Sequence, residues 1–90
     1  MKLTPALLST TIPKGFTITT VKDLNLSSKE IDEIEDLSIC LELRKLNLAK
    51  NNLTSLDSLA FNYELTWLDV SNNNITTLEK VKKLKKLNGL

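Results

Sequence analysis

The side chains that could support catalysis or metal binding are few and poorly grouped. Cys40 is the single cysteine and the chain has no histidine, so a Cys–His nucleophile and the usual general base are both missing. A run of carboxylates has no histidine, cysteine or glycine-rich loop beside it: Asp32, Glu33, Glu35 and Asp36. We therefore expect no enzyme activity, no metal site and no cofactor, and we expect Cys40 to be a small buried hydrophobic side chain.

The distribution of charge narrows the range of partners. The 12 basic and 11 acidic residues give a formal net charge of +1, without the basic excess that is typical of nucleic-acid-binding domains. The two signs are separated, with a net charge of −5 over residues 22–42 and +4 over residues 79–90. We expect nucleic acid to be contacted only indirectly or through one basic cluster, formed by Lys80, Lys82, Lys83, Lys85 and Lys86.

Apolar residues recur with a period of 22 residues, which indicates a repeat architecture. The unit that starts at Leu43 is followed by a unit of the same pattern at Leu65 and preceded by one at Val21. The matching positions are Val21, Leu24, Leu26, Lys29, Ile31, Ile34 and Leu37; Leu43, Leu46, Leu48, Asn51, Leu53, Leu56 and Leu59; and Leu65, Leu68, Val70, Asn73, Ile75, Leu78 and Val81. A fourth unit begins at Leu87.

Each unit joins two patterns with different physical meanings. Its first half alternates apolar and polar residues, which favours a short strand with one face on the core. Its second half places an apolar residue at every third position, which matches a 3₁₀ or extended return segment better than an α-helix. One such unit cannot bury its apolar face alone, so consecutive units must stack and share a core.

This pattern resembles the leucine-rich repeat family. The 22-residue units are similar to the subclass of a protein phosphatase-1 regulatory subunit, the spliceosomal A-prime protein and the axonemal dynein light chain. The resemblance implies an α/β solenoid with short parallel β-strands on the concave face and 3₁₀ or extended segments on the convex face. We expect an N-terminal cap over residues 1–20 and repeats over 21–90, with complete repeats from 21, 43 and 65 and a fourth starting at 87.

The resemblance also assigns a structural role to two asparagines. Asn51 and Asn73 occupy the turn after the strand, where the family uses a buried amide to pair backbone groups that the bend leaves open. We expect them to form an asparagine ladder along the stack. Lys29 replaces asparagine at this position of the first repeat.

Residues 1–20 lie outside the repeat and are expected to cover its open side with a short helical cap. Thr4 followed by Pro5 predicts the helix N-terminus, since proline is favoured at the first helical position. Three further apolar residues are expected to close the end of the core: Ile12, Phe16 and Ile18. We expect this N-terminus to be part of the fold rather than a signal peptide, and no apolar run reaches the roughly 18 residues of a membrane span.

The opposite end of the stack has no corresponding cap in the sequence. Leu84, Leu87 and Leu90 belong to repeat positions but complete no unit. We therefore expect an uncapped C-terminal end that supports self-association.

The candidate binding surface is the row of strand residues that lie between the core leucines. Across the repeats these positions form three columns: Asp23, Lys45, Trp67 and Gly89; Asn25, Asn47 and Asp69; and Ser27, Ala49 and Ser71. We predict that a partner contacts this concave face at Trp67, Lys45, Asp23, Asn25, Asn47, Asp69 and Ser71. Trp67 is the expected anchor, since tryptophan is enriched among interface hot spots. The alternative is that Trp67 only packs over the stem of Lys45 or Arg44.

These observations favour a non-enzymatic protein-interaction scaffold. The opening Met1-Lys2-Leu3-Thr4 resembles the start of ciliary and centriolar repeat proteins, which suggests a cytoskeletal assembly in the cytoplasm. Two alternatives stay open: a nuclear ribonucleoprotein component similar to the spliceosomal A-prime protein, and a protein phosphatase regulatory subunit.

Overall fold

The computed structural model describes residues 2–35, 37–59 and 62–76. In chain order its elements are β1 (Lys2–Leu3), α1 (Pro5–Ser9), β2 (Asp23–Asn25), β3 (Glu33–Ile34), β4 (Lys45–Asn47), a 3₁₀ turn (Asp57–Leu59) and β5 (Trp67–Asp69). The fourth repeat predicted from residue 87 and the last apolar positions of the third lie outside the described residues.

Strands β2, β4 and β5 form a parallel sheet in that order. Leu24 pairs with Leu46 and Leu46 with Leu68, so equivalent residues of successive strands, 22 positions apart, stand side by side. The central leucine of each strand is buried and the residue before it is exposed. This is the alternation that the sequence predicts, because successive side chains of a strand point to opposite faces.

The return segments are extended or 3₁₀, as the three-residue spacing predicts. β3 lies in the first return, and the Asp57–Leu59 turn lies in the second, where the Ser55 hydroxyl accepts a hydrogen bond from the Asp57 N–H at 3.1 Å. The apolar positions of strands and returns share one core: Val21, Leu24, Leu26, Ile31, Ile34, Leu37, Cys40, Leu43, Leu46, Leu48, Leu53, Leu56, Leu59, Leu65 and Leu68. Cys40 is buried there as a free thiol, as predicted.

The N-terminal helix begins where the Thr4–Pro5 pair predicts. The Thr4 side chain accepts a hydrogen bond from the Leu7 N–H at 3.2 Å, and proline occupies the first turn of α1. The helix ends at Ser9, and the C-cap residue Thr10 donates both its N–H and its hydroxyl to the Leu7 carbonyl. This short helix buries Leu8 against the core.

The prediction for the end of the core is partly wrong. Ile12 and Ile18 pack against the buried cluster, but the Phe16 side chain is 48% exposed. Leu3 and Leu8 occupy the core instead. They do so because β1 pairs in parallel with β3, which carries the first residues of the chain to the return segment rather than to the edge of the three-stranded sheet.

One backbone feature repeats after each strand of the sheet. Ser28, Lys50 and Asn72, which are equivalent residues, all have φ between 55° and 58°. This left-handed conformation reverses the chain at the end of the strand, and asparagine tolerates it better than residues with longer side chains.

Replacing Lys50 by asparagine is therefore expected to stabilise the fold. Asn72 shows that the turn accepts asparagine. Because asparagine adopts a positive φ at a lower energetic cost than lysine, we expect the free energy of unfolding to rise by about 0.5 to 1 kcal/mol. Urea unfolding of Lys50→Asn checks this, with Lys14→Asn as a control at an exposed lysine outside these turns. An equal effect of the two substitutions would show that the backbone conformation is not the cause.

Candidate functional site

The register of the sheet brings the predicted surface residues into two rows. Asp23 stands beside Lys45 and Lys45 beside Trp67, while Asn25 stands beside Asn47 and Asn47 beside Asp69. Neighbouring strands lie about 4.8 Å apart, so each row presents its three side chains to one ligand. Six of the seven predicted contact residues are thus contiguous, and Ser71 follows the end of β5.

Trp67 lies on the solvent side of β5. Its side chain is 38% exposed, whereas Leu65 and Leu68 are completely buried. Its backbone N–H donates to the Arg44 carbonyl at 3.1 Å, which fixes the start of β5 against β4. The strand therefore holds a large apolar surface beside Lys45 of β4 without using that surface in the core.

The second row has a local structural role that the sequence interpretation missed. The Asn25 Oδ1 accepts hydrogen bonds from both the N–H and the hydroxyl of Ser27, and the Asn47 Oδ1 accepts the Ala49 N–H at 3.0 Å. Asp69 repeats this arrangement with Ser71. These side chains close the turn after each strand, and Ala49, assigned to the surface by alternation, is buried.

The carboxylate of Asp69 is held in its charged form by this turn. It accepts the Ser71 N–H at 3.0 Å and the Ser71 hydroxyl at 2.8 Å. The backbone hydrogen bond, followed by the side-chain one, lowers the pKa of Asp69 below its ordinary value of 3.8, against a smaller opposing effect of burial.

A pH dependence of stability follows from this lowered pKa. The stabilisation is present above the unfolded pKa and is lost as the pH falls through the lower folded value. Asp69→Asn keeps the accepting oxygen, as at Asn25 and Asn47, so we expect its free energy of unfolding at neutral pH to lie within about 0.5 kcal/mol of the wild-type value. In acid, the variant should lose less stability than the wild type, because its amide does not titrate. Urea melts of both proteins from about pH 2 to 7 test this, and parallel pH profiles would contradict it.

Five of the six residues in the two rows line a groove of about 350 Å³, which we call the sheet groove. Its walls are Thr11, Pro13, Asp23, Leu24, Asn25, Lys45, Asn47 and Trp67. Thr11 and Pro13 were not predicted, because the N-terminal segment was interpreted only as a cap for the core. Their position means that the cap forms one wall of the candidate site.

A second groove of about 570 Å³ lies where the strands begin, with lining residues Lys22, Asp23, Arg44, Lys45, Glu64 and Thr66. Three cations face two carboxylates there, so the groove has mixed charge. Among residues 2–35, 37–59 and 62–76, no group of three or more His, Cys, Asp or Glu side chains is arranged to hold a metal ion. The described helices are all too short or too polar to cross a membrane.

Two asparagines join the turns of adjacent repeats by hydrogen bonds. The Asn51 Oδ1 accepts the N–H groups of Lys29 and Ile31, and its Nδ2 donates to the carbonyls of Leu26, Leu48 and Ala49. The equivalent Asn73 Oδ1 accepts the Leu53 N–H, and its Nδ2 donates to the carbonyls of Leu48, Val70 and Ser71. Both amides therefore bridge one repeat to the one before it.

A third bridging asparagine lies at the opposite corner of the repeat. The Asn62 Nδ2 donates to the Leu37 carbonyl at 2.8 Å, and the side chain is buried. Its Oδ1 has no hydrogen-bond donor in the part of the chain that the structure describes. No role was predicted for Asn62, which lies 22 residues after the buried Cys40.

The predicted basic cluster from Lys80 to Lys86 lies outside the described residues, as does the predicted self-associating C-terminal end. A family model described as "Leucine rich repeat" matches residues 41–90, more than half of the chain. No curated protein matches the chain.

Proposed function

Because the chain belongs to the leucine-rich repeat family, we propose that it is a non-enzymatic scaffold that binds a protein partner on the exposed face of its sheet. Leucine-rich repeat domains generally mediate protein–protein interaction and are typically not enzymes. The proposal assigns the binding contacts to the Asp23–Lys45–Trp67 row and to the polar row beside it.

One observation carries the proposal. Trp67 is 38% exposed, lines the sheet groove, and lies on β5 beside Lys45 of β4. An exposed tryptophan offers a large apolar area with little conformational entropy to lose on binding, and such residues dominate interface energies. With every contact that Trp67 makes in the structure included, 38% of it stays exposed.

We further propose that the chain is a solenoid of the 22-residue subclass, with the sheet on its concave face. The in-register strands, the matching left-handed turns and the bridging asparagines support continued stacking. A cytoplasmic, cytoskeletal or ciliary assembly is the setting we propose, on the resemblance of residues 1–4. A ribonucleoprotein and a phosphatase complex are the alternatives.

Affinity capture with three versions of the chain tests the proposed surface. Proteins bound by the wild type and by Tyr63→Ala, but lost with Trp67→Ala, would be partners of the sheet face. Tyr63 is a suitable control because its side chain is aromatic and 62% exposed, and it lies outside the strands. Equal capture by all three versions would contradict the proposal.

The same experiment separates the alternative assemblies. Cytoskeletal or axonemal proteins, spliceosomal proteins or a phosphatase catalytic subunit would each identify one of them. Repeating the capture at higher salt identifies a nucleic-acid contribution, because affinity based on phosphate contacts falls steeply with salt concentration.

A further inference from the structure

The outer edge of β2 has backbone groups that are free to pair. β2 pairs with β4, with the Lys22 carbonyl accepting the Lys45 N–H and the Leu26 N–H donating to the Asn47 carbonyl. Alternate residues of a strand direct their backbone groups to opposite sides, so those of Asp23 and Asn25 point away from β4. Among the described residues, no backbone or side-chain group pairs with them.

Neither described element of the N-terminal cap pairs with this edge. Its strand β1 pairs with β3 in the return segment, and its helix α1 buries Leu8 in the core, so neither element extends the three-stranded sheet. Thr11 and Pro13 line the sheet groove together with Asp23, Leu24 and Asn25 of β2. This groove provides open volume beside β2.

A second cleft lies at the start of the same edge. It has a volume of about 320 Å³ and is lined by Pro13, Phe16, Val21, Lys22 and Asp23. Phe16 is 48% exposed in this position. An apolar cleft next to an open strand edge can receive one side chain of an added strand while the edge pairs with its backbone.

We propose that an extended segment of a protein partner adds to the outer edge of β2 as a further strand. A peptide backbone is the occupant that matches donors and acceptors repeating along a strand. Its apolar side chain enters the Phe16 cleft, and a lysine or arginine lies beside Asp23, since opposite charges on neighbouring strands stabilise a sheet.

The charge of the edge favours a different protein over a second copy of this chain. β2 carries Asp23 and no basic residue, so a second copy pairing strand to strand would bring another Asp23 and could supply a basic neighbour only from Lys22, one residue before β2. The inference goes beyond the proposed function because it requires the backbone of β2 and not the side chain of Trp67. The sheet groove joins the two regions, so one partner can use both.

Amide exchange measured by NMR on the full chain tests the proposal. The probe is an acetylated, amidated peptide of alternating threonine and valine with a central lysine. We expect it to slow exchange of the Asp23 and Asn25 amides by about tenfold at saturation, while the already paired Leu46 amide is unaffected. A peptide N-methylated on its central amides cannot pair and should have no effect.

Side-chain selectivity provides the second measurement. The lysine probe should bind more tightly than its central-glutamate counterpart by about threefold, and Asp23→Lys should reverse this preference. Trp67→Ala should leave probe binding unchanged, so this proposal and the Trp67 proposal can fail separately. Three results would overturn the strand-addition proposal. The Asp23 and Asn25 amides would already be protected from exchange without the peptide, or their protection would depend only on the protein concentration. The third result is that a saturating concentration of the probe gives these amides no protection.

Discussion

Replacing Asn51 with alanine is expected to lower the free energy of unfolding by about 2 to 4 kcal/mol. The substitution removes an acceptor for two backbone N–H groups, on Lys29 and Ile31, and a donor to three carbonyls in two repeats. Because Asn51 is only 4% exposed, water cannot readily replace these hydrogen bonds. Urea unfolding monitored by circular dichroism measures the loss.

The neighbouring asparagine provides the control for this substitution. Asn52 is exposed, so Asn52→Ala should change stability by less than about 0.5 kcal/mol. Asn73→Ala should lower the free energy of unfolding by about 1 to 2 kcal/mol, because Asn73 is only half-buried and, within the described part of the chain, accepts one backbone N–H. If Asn51→Ala were as stable as Asn52→Ala, the bridging hydrogen bonds would not hold the repeats together.

The second large effect is expected on binding. Trp67→Ala should weaken binding of the natural partner by at least about 2 kcal/mol, because it removes the largest exposed apolar surface of the face. The same substitution should change the free energy of unfolding by no more than about 1 kcal/mol, since the side chain lies outside the core. Titration calorimetry with a partner identified by capture gives the first value, and urea unfolding gives the second.

Two further variants show which part of Trp67 matters. Trp67→Phe should retain most of the affinity if apolar contact dominates, and Tyr63→Ala should retain all of it. Unfolding of the domain by Trp67→Ala would place the side chain in the core and contradict the register. Unchanged affinity of a folded Trp67→Ala protein would move the binding site away from the sheet face.

Much of the fold could be predicted because the repeat encodes it three times. The apolar alternation that defines the strand around Leu24 recurs around Leu46 and Leu68, and the same register then follows for the surface residues between them. The Thr4–Pro5 helix start was also predictable, because it depends on the local conformational preferences of those two residues.

The non-repeating segment was harder to interpret. Ile12, Phe16 and Ile18 are all apolar, and residue type alone cannot show which of them reaches the core. The pairing of Lys2 and Leu3 with β3 decides the outcome, since it brings Leu3 and Leu8 inside and leaves Phe16 exposed. A two-residue strand has no periodicity that a sequence pattern can reveal.

The candidate site was predictable in position but not in detail. The sequence places Asn25 and Asp69 on the face, but an amide or carboxylate two residues before a serine is also a turn signal. Because these residues form turns, their side-chain oxygens accept hydrogen bonds from Ser27 and Ser71. The bridging role of Asn62 was not predicted, because the equivalent positions of the neighbouring repeats hold the apolar residues Cys40 and Leu84.

Site-specific photocrosslinking most directly tests whether the sheet face binds a protein. A photoreactive residue at Lys45 reports on the face beside Trp67, and one at Thr54 reports on an exposed position of a return segment. We predict that a protein partner in extract is crosslinked from Lys45 and not from Thr54, and that Trp67→Ala abolishes the Lys45 product. Crosslinking from Thr54 alone, or a Lys45 product that survives Trp67→Ala undiminished, would contradict the assignment of this face as the binding surface.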